Sequence, residues 1–175
     1  PYGAVVPGPN YWPMLREVCD RYGVLLIADE VITGFGRTGK MFACDHWNVT
    51  PDIMTMAKGI TSGYIPMGGA ILRKPIADAF IGSAGAAFRH VITFGGHPVA
   101  SAAALKNIEI MERDEICEHV QEVGPYFEEQ LASLLTHPIV GDVRGSHFMM
   151  CIENVADKET KELLPEDAQI GQRIA

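Results

Sequence analysis

The chain has 175 residues, of which 47% are apolar and 21% charged, an ordinary globular composition that excludes disorder. Its formal net charge of −8 provides no basic field for a phosphate backbone, so nucleic acid is not an expected partner. No apolar run is long enough to span a bilayer and no secretory leader is recognisable, so a membrane is not an expected partner either.

The four cysteines, Cys19, Cys44, Cys117 and Cys151, are scattered and form no CxxC pair. This spacing favours reduced thiols in the cytoplasm over a disulfide scaffold. Cys44 and His46 are close in sequence, but no second ligand pair follows, so no metal site is predicted. The chain begins at proline rather than methionine, and we expect both ends to be cut from a longer protein.

The first part of the chain has the pattern of an α/β sheet. Apolar residues at helical spacing predict a helix over 13–22 that ends at Gly23. The unbroken apolar run at 24–28 predicts a strand buried on both faces of a parallel sheet. Two further strands are predicted at 53–57 and 68–72.

A loop at 82–87 separates these strands from a long helix over 98–111, which begins at Pro98. The periodicity of this helix predicts that Leu105, Ile108 and Met111 face inward.

A change of pattern after this helix predicts a domain boundary. Asp114 is expected to cap a helix that runs to about 135, with a kink or break at Gly124 and Pro125. Two strands then follow at 139–144 and 147–152, joined at Gly145. The predicted organisation is a large α/β domain over 1–113, a connecting helix over 114–137 and the start of a small α+β domain over 138–175.

Two charged side chains follow buried strands: Asp29 after the first strand and Lys58 after the second. Ligands bind at the carboxyl ends of strands in open α/β sheets. A lysine in apolar surroundings has its ammonium form disfavoured, and a neutral amine forms Schiff bases with carbonyl compounds. A carboxylate beside a pyridine ring keeps the ring nitrogen protonated. The pair therefore fits pyridoxal-phosphate chemistry, although an incidental ion pair is the alternative that spacing alone leaves open.

The glycine loop over 34–39 matches the dinucleotide pattern GxGxxG. That motif requires a strand directly before it and a helix on its third glycine. Four residues separate the strand from Gly34, and the residues after Gly39 are poor helix formers. A loop of tight turns is the better interpretation, and an NAD-dependent oxidoreductase is only a remote alternative.

Taken in order, several segments resemble the class III (ω-) aminotransferases, which depend on pyridoxal 5′-phosphate (PLP). They are LIADEVITGFGRTG (26–39), PDI (51–53), AKG (57–59), PMGG (66–69), His90, TFGGHP (93–98) and GDVRG (141–145). The resemblance covers most of the chain and implies an α/β, fold type I PLP transferase with a mostly parallel sheet and flanking helices.

The resemblance also implies a role for individual residues. Asp29 would pair with the pyridinium nitrogen, and Val31 would pack on the ring. Lys58 would form the internal aldimine and move the proton between the substrate Cα and the cofactor C4′ atom. Thr93 would reach the phosphate of the neighbouring subunit's cofactor, which implies a homodimer, although a threonine that caps a helix is compatible with the same position. Arg37 is expected to be structural, holding the glycine loop through hydrogen bonds.

The implied reaction is a ping-pong transfer of an amino group from an amine or amino acid to a keto acid. Ile32 replaces a glutamine found in many members, and the sequences at 31–37 and 155–158 resemble the amine:pyruvate subgroup, so pyruvate is the expected acceptor. An aminomutase or a decarboxylating transaminase would keep the same Asp29 and Lys58. His147 is expected to be a packing or surface residue. The family's other phosphate contacts and its carboxylate-binding arginine are expected outside this chain.

Overall fold

The computed structural model describes residues 3–82, 85–165, 168–170 and 173. The described residues form two compact units, one within Pro7–Val120 and the other within Gln121–Ala175 together with Pro1–Val6. The loop predicted at 82–87 includes residues 83 and 84, which lie outside the described residues, while residues 85 and 86 form a turn. The domain boundaries expected near 113 and 138 stay a prediction for a longer protein.

Within Pro7–Val120, the described residues form a three-stranded sheet, two 3-10 helices, three complete α-helices and the start of a fourth. In chain order the elements are α1 (Tyr11–Tyr22), β1 (Ile27–Asp29), a first 3-10 helix (Ala43–Trp47), β2 (Ile53–Met56), a second 3-10 helix (Lys58–Thr61), β3 (Gly69–Leu72), α2 (Lys74–Asp78) and α3 (Pro98–Arg113). Strand order is β1-β2-β3, and β1 pairs with β2 in parallel. β3 pairs with β2 in the antiparallel sense, so this part of the sheet is mixed.

Helix α1 ends where the sequence predicted, because Gly23 adopts a left-handed backbone with φ of 64° and donates back to α1 carbonyl oxygens. The prediction that the first strand is buried on both faces was wrong. Leu26 and Ala28 are buried, but Leu25 and Ile27 are 55% and 57% exposed. The buried side packs against α1, and no element of the described part of the chain covers the opposite side.

Two small apolar clusters organise this unit. Cys19 of α1, Leu26 and Val49 form the first, and Met56, Ile60 and Ala104 form the second. The second cluster joins β2, the second 3-10 helix and α3. The inward direction predicted for Leu105 was wrong, since that side chain is 69% exposed, whereas Met111 is buried. Alanines at the inward positions let α3 approach the second 3-10 helix closely.

Asp114 ends α3 rather than beginning the next helix, and Glu115 lies between the two helices with φ of 50°. Helix α4 begins at Ile116 and ends at Ala132. A kink or break was expected at Gly124 and Pro125. The break is absent within this described helix, which continues through Pro125, and the kink stays a prediction. Gly124 has a packing role instead, because a Cβ there would collide with the imidazole ring of His147.

The unit that includes Gln121–Ala175 contains an antiparallel hairpin of β4 (Val140–Ser146) and β5 (Met149–Asn154). The turn is at 147–148, not at Gly145 as predicted. Gly145 is paired with Met150 inside the ladder, and a Cβ at Gly145 would collide with the Met149 carbonyl oxygen. A glycine was therefore required by close strand approach rather than by the turn.

Candidate functional site

Parallel pairing of β1 and β2 brings the two charged residues of the sequence prediction to one edge of the sheet. Asp29 is the last residue of β1 and lies opposite Thr55 in the register. Lys58 follows Thr55 by three residues and lies two residues beyond the end of β2. Since parallel strands end at the same edge, Asp29 and Lys58 leave the sheet on the same side.

The Asp29 carboxylate is exposed and only partly engaged. One of its oxygens, Oδ1, accepts a hydrogen bond of 3.1 Å from the backbone N–H of Val31. This bond fixes the carboxylate against its own backbone, and within the described ranges Oδ2 accepts no hydrogen bond. One oxygen is therefore available to a cationic N–H group of a ligand, which fits the protonated ring nitrogen of PLP.

Lys58 opens the second 3-10 helix in a left-handed backbone conformation with φ of 48°. Its side chain is exposed, so the apolar surroundings expected from its position after a strand are not found here. It borders an open pocket of about 670 Å³ together with Phe35, Arg37 and Asn107. A primary amine at such a pocket is accessible to a carbonyl compound, as covalent attachment of PLP requires.

The backbone of the second 3-10 helix is bound by Asn107 of α3. The Asn107 side-chain Nδ2 donates to the carbonyl oxygens of Gly59 and Ile60, at 2.9 and 3.2 Å. Its Oδ1 accepts a hydrogen bond of 2.6 Å from the Ser62 hydroxyl. Sequence reasoning missed this residue. One signal in the sequence could have found it: Asn107 is an amide residue on the same helical face as the inward-facing Ala104 and Met111.

Glu30 organises the glycine loop and was also missed. Its side chain is 3% exposed and accepts hydrogen bonds from the backbone N–H groups of Cys44 at 2.8 Å and Ala43 at 3.0 Å. Thr33 donates its hydroxyl to the same carboxylate. The bonds to Ala43 and Cys44 satisfy the start of the first 3-10 helix, where N–H groups have no partner within the helix.

The prediction that Arg37 holds the glycine loop was wrong. Its guanidinium is exposed, makes no hydrogen bond within the part of the chain that the structure describes, and borders the pocket beside Lys58. No α-helix begins at Gly39: residues 40–42 bend and the first 3-10 helix follows. This geometry agrees with the rejection of the dinucleotide motif.

Val31 and Thr93 are the two remaining residues that the sequence predicted to bind the cofactor. Val31 is half-buried, two residues beyond Asp29. Thr93 is exposed in a turn before α3, and it does not cap that helix. The cap is His97, whose Nδ1 accepts from the N–H of Ala100 at 3.4 Å. The structure thus brings Asp29, Val31 and Lys58 to one edge, and the cofactor role of Thr93 stays a prediction.

Metal ligation has no geometric support in the described ranges, where no three His, Cys, Asp or Glu side chains cluster. Burial, together with the neighbouring Glu30 carboxylate, raises the pKa of the Cys44 thiol to about 12. The thiol is therefore protonated at neutral pH. All four cysteines are free thiols. Among the described residues, no helix is both long and apolar enough to cross a membrane.

Comparisons with known proteins agree on one family. The model of the family "Aminotransferase class-III" matches residues 2–174. A putrescine–pyruvate aminotransferase of Pseudomonas aeruginosa is 45% identical over 161 residues, covering 91% of this chain and 35% of its own length. A taurine–pyruvate aminotransferase of Bilophila wadsworthia is 45% identical over 176 residues, covering 97% of this chain and 39% of its own length.

Solved structures give the same result. An (S)-enantioselective ω-transaminase from Thermomicrobium roseum superimposes with a TM-score of 0.92 at 44% identity, covering 98% of this chain and 38% of its own. An amine transaminase from an uncultivated Pseudomonas species, solved in the PLP-bound internal aldimine form, matches with a TM-score of 0.92 at 45% identity. That match covers 99% of this chain and 40% of its own.

The expected α/β, fold type I architecture is confirmed by these structural matches. The chain spans between a third and two fifths of the length of the relatives it matches. PLP is the cofactor of the family, as the sequence predicted. On the family match over residues 2–174 and the high similarity to solved transaminases, the chain belongs to the class III aminotransferases.

Proposed function

We propose that this chain is the central part of a PLP-dependent aminotransferase that moves an amino group from an amine or amino acid to a keto acid in a ping-pong reaction. The observation that carries the proposal is the placement of Asp29 and Lys58 at the same edge of the sheet, after adjacent parallel strands. Membership of the class III family supports the same reaction type.

Each residue at this edge has a distinct task in the proposal. Bound PLP supplies an electron sink for the charge that develops at the substrate Cα. The free oxygen of Asp29 would accept a hydrogen bond from the protonated ring N–H of the cofactor, while the other oxygen stays bonded to the Val31 N–H. The Val31 side chain would pack against the cofactor ring. The Lys58 amine would hold the cofactor and would serve as the base and acid that moves a proton at the substrate Cα.

Pyruvate is the proposed amino acceptor. Two of the relatives are named as pyruvate aminotransferases, and the segment over 31–37 resembles the amine:pyruvate subgroup. The alternatives on the same fold are an aminomutase and a decarboxylating transaminase. An aminotransferase releases keto product only when a keto acid is added, whereas an aminomutase needs no keto acid and a decarboxylating enzyme releases carbon dioxide.

We further propose a cytoplasmic homodimer in which Thr93 reaches the cofactor phosphate of the partner subunit. Thr93 is exposed in a turn and does not cap α3, and this supports a role outside its own subunit's fold. Mixing full-length Lys58→Ala and Thr93→Ala proteins tests the shared site. A mixed dimer contains one site with both an intact lysine and an intact partner threonine, so activity should exceed that of either variant alone. If the mixture shows no more activity than the sum of the two separate variants, the shared site is contradicted.

The cytoplasmic location is tested by cell fractionation. Four free thiols suit a reducing compartment such as the cytoplasm.

The decisive experiment is borohydride reduction of the PLP-loaded full-length protein, followed by peptide mass mapping. A phosphopyridoxyl group on Lys58 is the expected result. The matched control is Lys74→Ala, which changes an exposed lysine on α2 that is bonded to Asp78 and should leave labelling unchanged. Lys58→Ala should lose the label and turnover while still binding PLP non-covalently. Labelling at another lysine, or turnover in Lys58→Ala, would overturn the proposal.

A further inference from the structure

The turn that carries Lys58 has an unusual backbone at both ends. Lys58 has φ of 48° and Ser62, four residues later, has φ of 49°. Non-glycine residues rarely adopt this left-handed region, and such residues persist only where their surroundings hold them. Two backbone hydrogen bonds of the turn run from Ile60 N to Ala57 O and from Ser62 N to Gly59 O, both at 3.2 Å. Contacts from outside the turn add to these local bonds.

Asn107 supplies that external support. One side-chain amide satisfies three groups of the turn: the carbonyl oxygens of Gly59 and Ile60 and the hydroxyl of Ser62. The amide orientation is fixed by chemistry, because carbonyl oxygens can only accept and must face the Nδ2 group. The remaining Oδ1 then accepts from Ser62. The bonds join residues that are 45 to 48 positions apart in the sequence.

The support comes from a rigid element. Helix α3 has 16 residues, and its Ala104 is 4% exposed and packs with Ile60 of the turn. On another side of the turn, Phe35 of the glycine loop packs so closely on Gly59 that a Cβ there would lie 2.8 Å from the Phe35 Cβ. Residues 59–62 are thus restrained by both α3 and the glycine loop, while Lys58 itself is exposed at the pocket.

From this arrangement we infer that Asn107 is the positioning residue of the reactive lysine. Asn107 holds the Gly59 and Ile60 carbonyl groups, so Lys58 keeps its left-handed backbone conformation. The Lys58 side chain then always starts from the same Cα position. The inference rests on the proposed function and deepens it. Asn107 does not touch the reacting atoms; it acts through the backbone to which Lys58 is attached.

The test compares Asn107→Leu, Asn107→Gln and Ser62→Ala with the wild-type full-length protein. Leucine is nearly the same size and neutral, so it removes the hydrogen bonds without adding charge. Glutamine keeps the amide but displaces it by one methylene. Ser62→Ala removes only the bond that fixes Oδ1. The matched control is Gln130→Leu, the same change of chemistry on an exposed position of α4.

Three measurements separate positioning from a merely structural role. The first is hydrogen exchange of the peptide spanning 57–64 in the apoprotein, which needs no cofactor. The second is the pH titration of the visible absorbance of the lysine-bound cofactor. The third is kcat and KM for the amine, at a temperature where every variant is folded.

For Asn107→Leu we expect faster exchange in 57–64, a shifted midpoint of the absorbance titration and a kcat reduced by roughly 10- to 100-fold, since misplacing a group by about 1 Å costs on that order. KM for the amine should change little. Asn107→Gln should recover part of the kcat, Ser62→Ala should be intermediate, and Gln130→Leu should match the wild type.

The failure of this inference differs from the failure of the proposed function. A wild type that shows a lysine-linked chromophore, with Asn107→Leu unchanged in titration, kcat and exchange, overturns the positioning role alone. A variant that is less heat-stable but normal in those three measurements also overturns it, because Asn107 would then be structural. If Asn107→Leu does not fold, Ser62→Ala decides by the same measurements. A wild type without any lysine-linked chromophore overturns both proposals.

Discussion

Replacing Asp52 by asparagine should destabilise the sheet region strongly, because this one carboxylate joins three elements. Asp52 is 8% exposed. Its Oδ2 accepts from the Leu26 N–H before β1 and from the Arg16 guanidinium of α1, both at 2.8 Å. Its Oδ1 accepts from the Arg73 guanidinium beyond β3 at 3.1 Å. No other carboxylate in the described ranges connects these elements.

The expected loss of stability follows from the number of these hydrogen bonds and from how exposed each partner is. A hydrogen bond to a charged group contributes about 1.5–3 kcal/mol, roughly twice a neutral one. Asparagine keeps one acceptor oxygen, but its NH2 group replaces the other oxygen. That NH2 group is a donor and would face the N–H donors that now bond to Asp52. The Arg73 side chain is 52% exposed, so its pair adds little, whereas the Arg16 side chain is only 16% exposed. The free energy of unfolding should therefore fall by about 2–4 kcal/mol.

The pH dependence provides a second check. The Leu26 N–H, together with Arg16 and Arg73, holds the pKa of Asp52 below its ordinary value. A carboxyl group with a lowered folded-state pKa stabilises the fold above its unfolded pKa of about 3.9, and that contribution is lost as the pH falls through the folded-state pKa. The difference between wild type and Asp52→Asn should stay constant from about pH 7 to pH 5 and shrink only below about pH 4.

Urea unfolding of the full-length apoprotein measures both quantities. The control is Asp20→Asn, which removes the 63%-exposed partner of Arg16 and should cost less than about 1 kcal/mol. A loss below about 1 kcal/mol for Asp52→Asn, or a difference that already narrows between pH 7 and pH 5, would refute the reasoning.

Three further outcomes are expected. Gly59→Ala places a Cβ 2.8 Å from the Phe35 Cβ, and the resulting strain should lower stability by about 1–3 kcal/mol, visible as a lower urea midpoint, unless Phe35 is shortened in the same protein. Glu30→Gln weakens the buried hydrogen bonds from the N–H groups of residues 43 and 44 to the side chain, so hydrogen exchange of these two amides should accelerate. Unchanged exchange would mean that other contacts hold this segment. Asp29→Asn should still bind PLP, measured by absorbance, but lose orders of magnitude in kcat; a near-normal rate would contradict its pairing with the ring nitrogen.

The sequence determined those features that depend on local rules. Gly23 ends α1 because a left-handed residue favours glycine, and Pro98 begins α3 because its fixed φ suits the first turn of a helix. The apolar runs located β1 and β2 to within a few residues. Asp29 and Lys58 could be selected because charged residues directly after buried strands reach the ligand edge of an α/β sheet.

Local rules failed where a residue serves a distant neighbour. Gly145 and Gly124 looked like a turn and a helix break, but each is small because a strand or the ring of His147 approaches it. Leu105 fits the helical period, yet alanines define the contact face of α3.

The tertiary structure alone decided what holds the reactive turn. Asn107 is 49 positions from Lys58, and no local pattern links an amide on α3 with the carbonyl oxygens of residues 59 and 60. The same is true of Asp52, whose partners Arg16, Leu26 and Arg73 come together only when α1 and the sheet are folded. Periodicity and turn chemistry describe neighbours along the chain. Hydrogen bonds between distant residues depend on how the elements pack, which is why the chemistry at Lys58 could be predicted from sequence but its support could not.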